Sequence, residues 1–195
     1  TYVWHYDVIK HIKPNCCVHI MAKIIDGKAL AESIKKTIKE KVATLKVKPG
    51  LAVILVGNNP ASQVYVSSKE RACLEVGFYS EKYTLKDNIK ETKLLKLIAK
   101  LNKQKNIHAI LVQLPLPAHI DEFKVLSAVV PEKDVDGFHL VNLGSLVTGK
   151  DTSIPCTPKG VLRLIETVTN IEGKHAVIVG RSNIVGKPVA LLLLH

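Results

Sequence analysis

A phenol and an amine stand four residues apart at Tyr65 and Lys69, in the stretch Gly57-Asn58-Asn59-Pro60-Ala61-Ser62-Gln63-Val64-Tyr65-Val66-Ser67-Ser68-Lys69 that follows the apolar run Leu51 to Val56. On a helix that spacing stacks both groups on one face. A strand that ends in a Gly-Asn-Asn-Pro turn and feeds such a helix delivers them to the carboxyl edge of a sheet, where open α/β folds place their ligands. The pair reads as a reaction site; the plainer alternative is a solvated lysine beside a half-buried tyrosine. Two further groups are placed to converge on it. Gln113 closes the apolar run Ala109 to Val112 and opens Gln113-Leu114-Pro115-Leu116-Pro117, so a neutral amide points into the crevice that Lys69 should face, and the prolines stiffen the exit. Capping of loose backbone groups is the competing role for that amide. In Pro131-Glu132-Lys133-Asp134-Val135-Asp136-Gly137-Phe138 two carboxylates stand two apart, so an extended loop sends them to opposite sides and only one enters the site. Asp136 is the one expected there, because Gly137 allows a sharp turn beside it. A calcium loop would need more oxygen ligands at set intervals.

The elements that must position these residues follow a regular plan. Leu30, Ile34, Ile38, Val42 and Leu45 fall at helical spacing, and Lys48-Pro49-Gly50 ends that helix before the strand Leu51 to Val56. The helix carrying Tyr65 and Lys69 should close at Gly77, with a strand near Phe78 to Leu85 and a helix carrying Leu94, Leu97, Ile98 and Leu101 after it. Ala109 to Val112 has the composition of a buried parallel strand, and Asp121 to Val130 reads as a helix. Strands alternating with helices in this way predict an α/β fold with a parallel sheet. After Val147-Thr148-Gly149-Lys150 the chain turns polar. A second unit then reads as a helix opened by Pro158, a strand His175 to Val179, and the turn Gly180 to Gly186. That turn keeps the first and last glycines of the dinucleotide fingerprint and replaces the middle one with Ser182, a weak match by itself. Gly180 would permit the tight turn, Gly186 close packing of the following helix, and the amides at the helix start would face a phosphate.

Composition narrows the function classes. No apolar run approaches the roughly 18 residues that a bilayer span requires, so no membrane role is expected. The net charge of +11 is carried mainly by dispersed lysine, with arginine only at Arg71, Arg163 and Arg181. A nucleic-acid site would more often interleave arginine with aromatics, whereas diffuse lysine steers small polyanions such as phosphorylated cofactors. Cys16, Cys17, Cys73 and Cys156 show no paired metal spacing and suit a reducing cytosol. Residues 1–20 carry no targeting pattern and read as upstream sequence or a tag, with the working chain starting at Met21.

Six motifs in series carry a family resemblance: Gly57-Asn58-Asn59-Pro60-Ala61-Ser62, Tyr65 with Lys69, Val112-Gln113-Leu114-Pro115-Leu116-Pro117, Lys133-Asp134-Val135-Asp136-Gly137, Pro155-Cys156-Thr157-Pro158 and Gly180-Arg181-Ser182-Asn183-Ile184-Val185-Gly186-Lys187-Pro188. From about Met21 onward the chain resembles the bifunctional methylenetetrahydrofolate dehydrogenase/methenyltetrahydrofolate cyclohydrolase family. The resemblance implies a two-domain, three-layer architecture: a folate-binding catalytic domain over 21–148 and a Rossmann-type NAD(P)-binding domain over 149–195. It implies oxidation of methylene-tetrahydrofolate with a nicotinamide cofactor, then hydrolysis of the methenyl product to formyl-tetrahydrofolate in the same cleft. Lys69 would be the acid/base group, Tyr65 would stack on and orient the folate, Gln113 would hydrogen-bond Lys69, and Asp136 would bind the pterin, with Leu114 and Pro115 also lining the substrate site. A neutral amide partner leaves a lysine free to trade its proton, and a carboxylate accepts two parallel hydrogen bonds from an amino-pyrimidine edge.

Gly180, Arg181, Ser182, Val185 and Gly186 would hold the cofactor. Arg181 could read a 2′-phosphate and favour NADP over NAD; the alternative is an arginine on an exposed loop. The family further implies a cytosolic homodimer in one-carbon metabolism that serves purine biosynthesis. A related NAD(P)-dependent oxidoreductase for another substrate is opposed by the co-occurrence of Tyr65, Lys69, Gln113 and Asp136. Ending at His195, the chain is expected to stop one strand and one helix into its nucleotide domain, and so to bind NADP negligibly. A folate-binding or dimerisation module is the alternative function on that reading.

Overall fold

The computed structural model describes residues 23–195. The expected upstream segment, with Cys16 and Cys17, lies outside the described residues. Element order is α1 (Gly27–Ala43), β1 (Gly50–Val56), α2 (Pro60–Val76), β2 (Tyr79–Leu85), α3 (Glu91–Lys103), β3 (Ala109–Val112), α4 (Glu122–Ala128), a single 3-10 turn (Pro131–Lys133), α5 (Leu140–Val147), α6 (Cys156–Glu166) and α7 (Gly186–Leu194). The strands form a parallel sheet in the order β2-β1-β3, as the strand and helix alternation predicts.

Alternation along the strands builds two cores. Ala52, Ile54 and Val56 of β1 join Ile110 and Val112 of β3 on one face, under Leu94, Ile98 and Leu101 of α3 and Val125 of α4. Val53 and Leu55 join Leu111 on the other face, under Val66 of α2. Residues 94, 98 and 101 recur at the spacing of one helix stripe, and all three are fully buried. The helices are set by local chemistry at their starts. Asp26 accepts a hydrogen bond from the Ala29 amide, Asn59 from Ser62 and Asp121 from Lys124, each satisfying an amide that the first helical turn leaves open.

Several boundaries differ from the sequence expectation. α1 stops at Ala43, which leaves Leu45 half exposed, and Val42 is the one buried residue of its stripe. α6 begins at Cys156 and not at Pro158, which sits in the first turn, where a missing N–H costs no helical hydrogen bond. His175 to Val179 forms no strand: Val177 and Val179 are 79% and 98% exposed, and no strand among the described residues pairs with them. Apolar composition alone cannot make a strand without a hydrogen-bonded neighbour. What the described residues show of the second unit is α6 packed on α7.

The Ile98 side chain is fully buried in the larger core. Ile98→Ala should cost about 2–5 kcal/mol, read as a lower urea midpoint at unchanged m-value.

Candidate active site

Strand alternation places the first two groups. Gln113 continues β3 by one residue, its amide donating to the Ile54 carbonyl at 2.9 Å, so it shares the α2 side of the sheet with Leu111. On α2, Val66 packs against that same side, and Lys69 follows three residues later. The result is a hydrogen bond from Lys69 Nζ to Gln113 Oε1 at 3.1 Å, while Gln113 Nε2 donates to the Leu114 carbonyl at 2.8 Å. The second bond fixes which way the amide faces: its oxygen is committed to the amine. Both sequence readings of Gln113 are therefore present in one side chain.

Asp136 arrives by a separate route. The backbone of Asp134 bridges in parallel to Ile110 of β3, and two residues on Asp136 lines the same cavity as Gln113. Asp134 is itself buried, its carboxylate accepting from the His139 amide at 2.8 Å and from Asn142 Nδ2 at 2.9 Å. Asp136 is left to face the cavity. Gly137 adopts φ +66°, and a Cβ there would lie 2.4 Å from the Ser153 carbonyl oxygen, so the turn beside Asp136 needs glycine for both its dihedral and its clearance.

These groups line one cavity of about 480 Å³, bounded by Tyr65, Lys69, Leu111 to Leu114, Asp136, Phe138, Pro155 to Thr157, Ile184 and Val185. Tyr65 is 63% exposed and forms an open rim, a ring face available to a flat ligand. Pro115 is not among the lining residues. Phe138, Cys156 and Thr157 are, although the sequence reading assigned them no role. Phe138 could have been found from its place beside Gly137, and Cys156 and Thr157 from the motif Pro155 to Pro158. Burial, opposed by the Lys69 amine and reinforced by the Asp134 carboxylate, pushes the Asp136 carboxyl up to about 6. Burial and the Asp136 charge also push the Cys156 thiol up, which keeps it in the poorly nucleophilic neutral form.

The turn Gly180 to Gly186 reaches the same cavity through Ile184 and Val185. A Cβ on Gly186 would fall 2.6 Å from the Gly180 carbonyl carbon and oxygen, so α7 starts in direct contact with the turn backbone. This is closer than the packing role expected of Gly186. The amides at the helix start do not face outward as expected: Ser182 Oγ accepts from Val185 N and Gly186 N at 3.2 and 3.1 Å, and the Ser182 carbonyl accepts from Lys187 N. A serine hydroxyl in the turn competes for the donors that a phosphate would use. Arg181 is exposed and forms no ion pair with an acidic group of the described residues. Among those residues, no cluster of three or more His, Cys, Asp or Glu side chains could hold a metal ion, and no helix is long and apolar enough to cross a membrane.

A family model described as tetrahydrofolate dehydrogenase/cyclohydrolase, catalytic domain, matches residues 25–136, and the NAD(P)-binding domain of the same family matches residues 155–195. The chain belongs to the tetrahydrofolate dehydrogenase/cyclohydrolase family. It is similar to the bifunctional protein FolD of Acetivibrio thermocellus, with 55% identity over 177 residues that cover 89% of this chain and 62% of the relative. Among solved structures, the bifunctional enzyme FolD, a methylenetetrahydrofolate dehydrogenase/cyclohydrolase from Campylobacter jejuni, is similar at 50% identity and TM-score 0.86, covering 88% of this chain and 63% of that one. The N5,N10-methylenetetrahydrofolate dehydrogenase-cyclohydrolase (FolD) of Trypanosoma brucei, solved with NADP cofactor and an inhibitor, is similar at 39% identity and TM-score 0.85, covering 89% and 61%. The chain spans under two thirds of the length of these family members.

A carboxyl whose folded value is raised carries a folding penalty that is fully present above about pH 6 and absent below its ordinary value of 3.8. Asp136→Asn should therefore stabilise the protein at pH 7.5 by up to about 3 kcal/mol, with the gain falling to roughly half by pH 5. Urea unfolding of both proteins at the two pH values measures it; an equal gain at both would assign the effect to something other than the Asp136 charge.

Proposed function

We propose that this chain carries the folate site of a bifunctional enzyme that oxidises methylene-tetrahydrofolate with NADP and hydrolyses the methenyl product to formyl-tetrahydrofolate. The observation that carries the reading is the Lys69–Gln113 hydrogen bond of 3.1 Å in a cavity that also holds Tyr65 and Asp136. Family membership supports this choice of reaction, and the geometry supports this choice of residues.

In this reading the Asp136 carboxylate pairs with the amino-pyrimidine edge of the pterin, and the Tyr65 ring packs along the ligand at the open rim. Leu114 and the apolar wall around it exclude water from the ring. NADP, when bound, accepts the hydride. In the hydrolytic step a water oxygen adds to the methenyl carbon, Lys69 takes up its proton, and the same amine returns a proton to the ring nitrogen as its carbon–nitrogen bond breaks. Gln113 holds the amine in place without a countercharge that would pin the proton to it. Arg181, exposed beside Gly180 and without an ion-pair partner among the described residues, is the group suited to a 2′-phosphate, while Gly180, Ser182, Val185 and Gly186 form the turn on which the pyrophosphate would lie. A phosphate that uses the amides of Val185 and Gly186 must first displace the Ser182 hydroxyl. Pro115 joins this site as a stiffener of the Leu114 loop. Cytosolic location, a homodimer and a supply of one-carbon units to purine biosynthesis go with the reading on family resemblance alone.

Two substitutions test it in a version extended to the length of the relatives. Lys69→Met should abolish the cyclohydrolase step, a loss of about 3–5 kcal/mol of transition-state stabilisation, while folate binding is largely kept. Hydrolysis at the parent rate would rule Lys69 out. Arg181→Ala should weaken NADP by about 1.5–3 kcal/mol and NAD far less. Calorimetric titration with both cofactors decides, and equal losses would mean that Arg181 does not read the 2′-phosphate.

A further inference from the structure

Asn142 of α5 is 6% exposed and takes no part in lining the cavity, yet it makes three side-chain hydrogen bonds. Its Nδ2 donates to Asp134 Oδ2 at 2.9 Å and to the Pro131 carbonyl at 3.0 Å, and its Oδ1 accepts from Thr152 Oγ1 at 2.9 Å. A carboxylate and a carbonyl can only accept, so the amide nitrogen must face them and the oxygen must face the threonine. Aspartate could not replace it, since a second acceptor would meet Asp134.

The partners of Asn142 lead to two different walls of the cavity. Asp134 pins the turn that carries Asp136: its carboxylate takes the His139 amide, and its backbone bridges to Ile110. Thr152 precedes Ser153, whose carbonyl oxygen lies where a Cβ on Gly137 would fall, and the chain runs on directly into Pro155, Cys156 and Thr157 of the facing wall. We infer that Asn142 is a positioning residue which, through Asp134 and Thr152, holds the Asp136 turn and the Pro155–Thr157 wall at one fixed separation and so sets how tightly the cavity grips its ligand. That the ligand is a folate rests on the reading above; the positioning itself does not. Binding groups need placement within about half an ångström, which side chains on two loops do not keep unless a buried network ties the loops together.

Thr152 is the gentler point of attack. Thr152→Val keeps the shape and removes the donor, leaving the Asn142 oxygen unpaired, and Thr152→Ser keeps the hydroxyl. Both variants of the 195-residue chain are compared with the parent by thermal unfolding, by carbon-13 NMR titration of the Asp136 carboxyl and by calorimetric titration with 5-formyl-tetrahydrofolate. The groups facing Asp136 are Lys69 on α2, Asp134 on the same loop and Cys156 at the start of α6, and none of them is altered. In Thr152→Val the loosened turn admits water, so Asp136 should titrate lower by roughly half a unit or more and the probe should bind several-fold more weakly, with both effects absent in Thr152→Ser. In an Asp136→Ala background, Thr152→Val should cost less affinity than it does in the parent, because one of the two walls it holds has lost its binding group. An unmoved Asp136 titration in Thr152→Val, or matching behaviour of the valine and serine variants, overturns the inference. If the titration moves but the parent does not bind the probe, the positioning stands and the folate reading falls.

Discussion

The site depends on a parity constraint in β3. Side chains alternate across a strand, so Leu111 and Gln113 must share a face, and the hydrophobic contact of Leu111 with Val66 decides that this face is the one α2 covers. Val66 is fully buried, and Lys69 lies one helical turn beyond it. A polar contact at the sheet edge is thus positioned by an apolar one in the sheet interior. A shift of one residue in the β1–β3 register would send Gln113 to the opposite face and leave Lys69 without its partner.

The polar groups of the cavity are not equivalent. Lys69 meets a neutral amide at 3.1 Å, while Asp136 sits where burial opposes its charge and the lysine favours it. A direct ion pair between the two would neutralise both and leave neither for a ligand. Their separation is maintained by construction: Gln113 is tied to β1 through its backbone amide, and Asp136 to β3 and α5 through Asp134. Rigid elements hold both groups although both stand on loops.

The Gly180 to Gly186 turn follows a different logic, in which backbone proximity matters more than side chains. Gly186 is excluded from bearing a Cβ by the carbonyl group of Gly180, and the Ser182 hydroxyl occupies the helix-start amides. The turn opens toward the Lys69 cavity through Ile184 and Val185, so the two motif sets meet at one place. That meeting is invisible to any comparison of motif spacings.

Much of the architecture is legible in the residues alone. The stripe Leu94, Ile98 and Leu101 and the strands around Leu51 to Val56 and Ala109 to Val112 follow from local pattern, because helix and strand periodicity is written in consecutive residues. Motif order carries the family, and sequence spacing separates Asp136 from Asp134. His175 to Val179 shows the limit of pattern reading, since strand formation requires hydrogen bonds to a neighbour that composition does not specify. The tertiary structure alone decided that the Ser182 hydroxyl takes the helix-start amides, that Cys156 and Thr157 face Lys69 across one cavity, and that Asn142 ties the two loops together. Each of these joins groups whose meeting depends on how elements pack, and packing is set by the summed burial of many side chains, so no single segment of the sequence contains it.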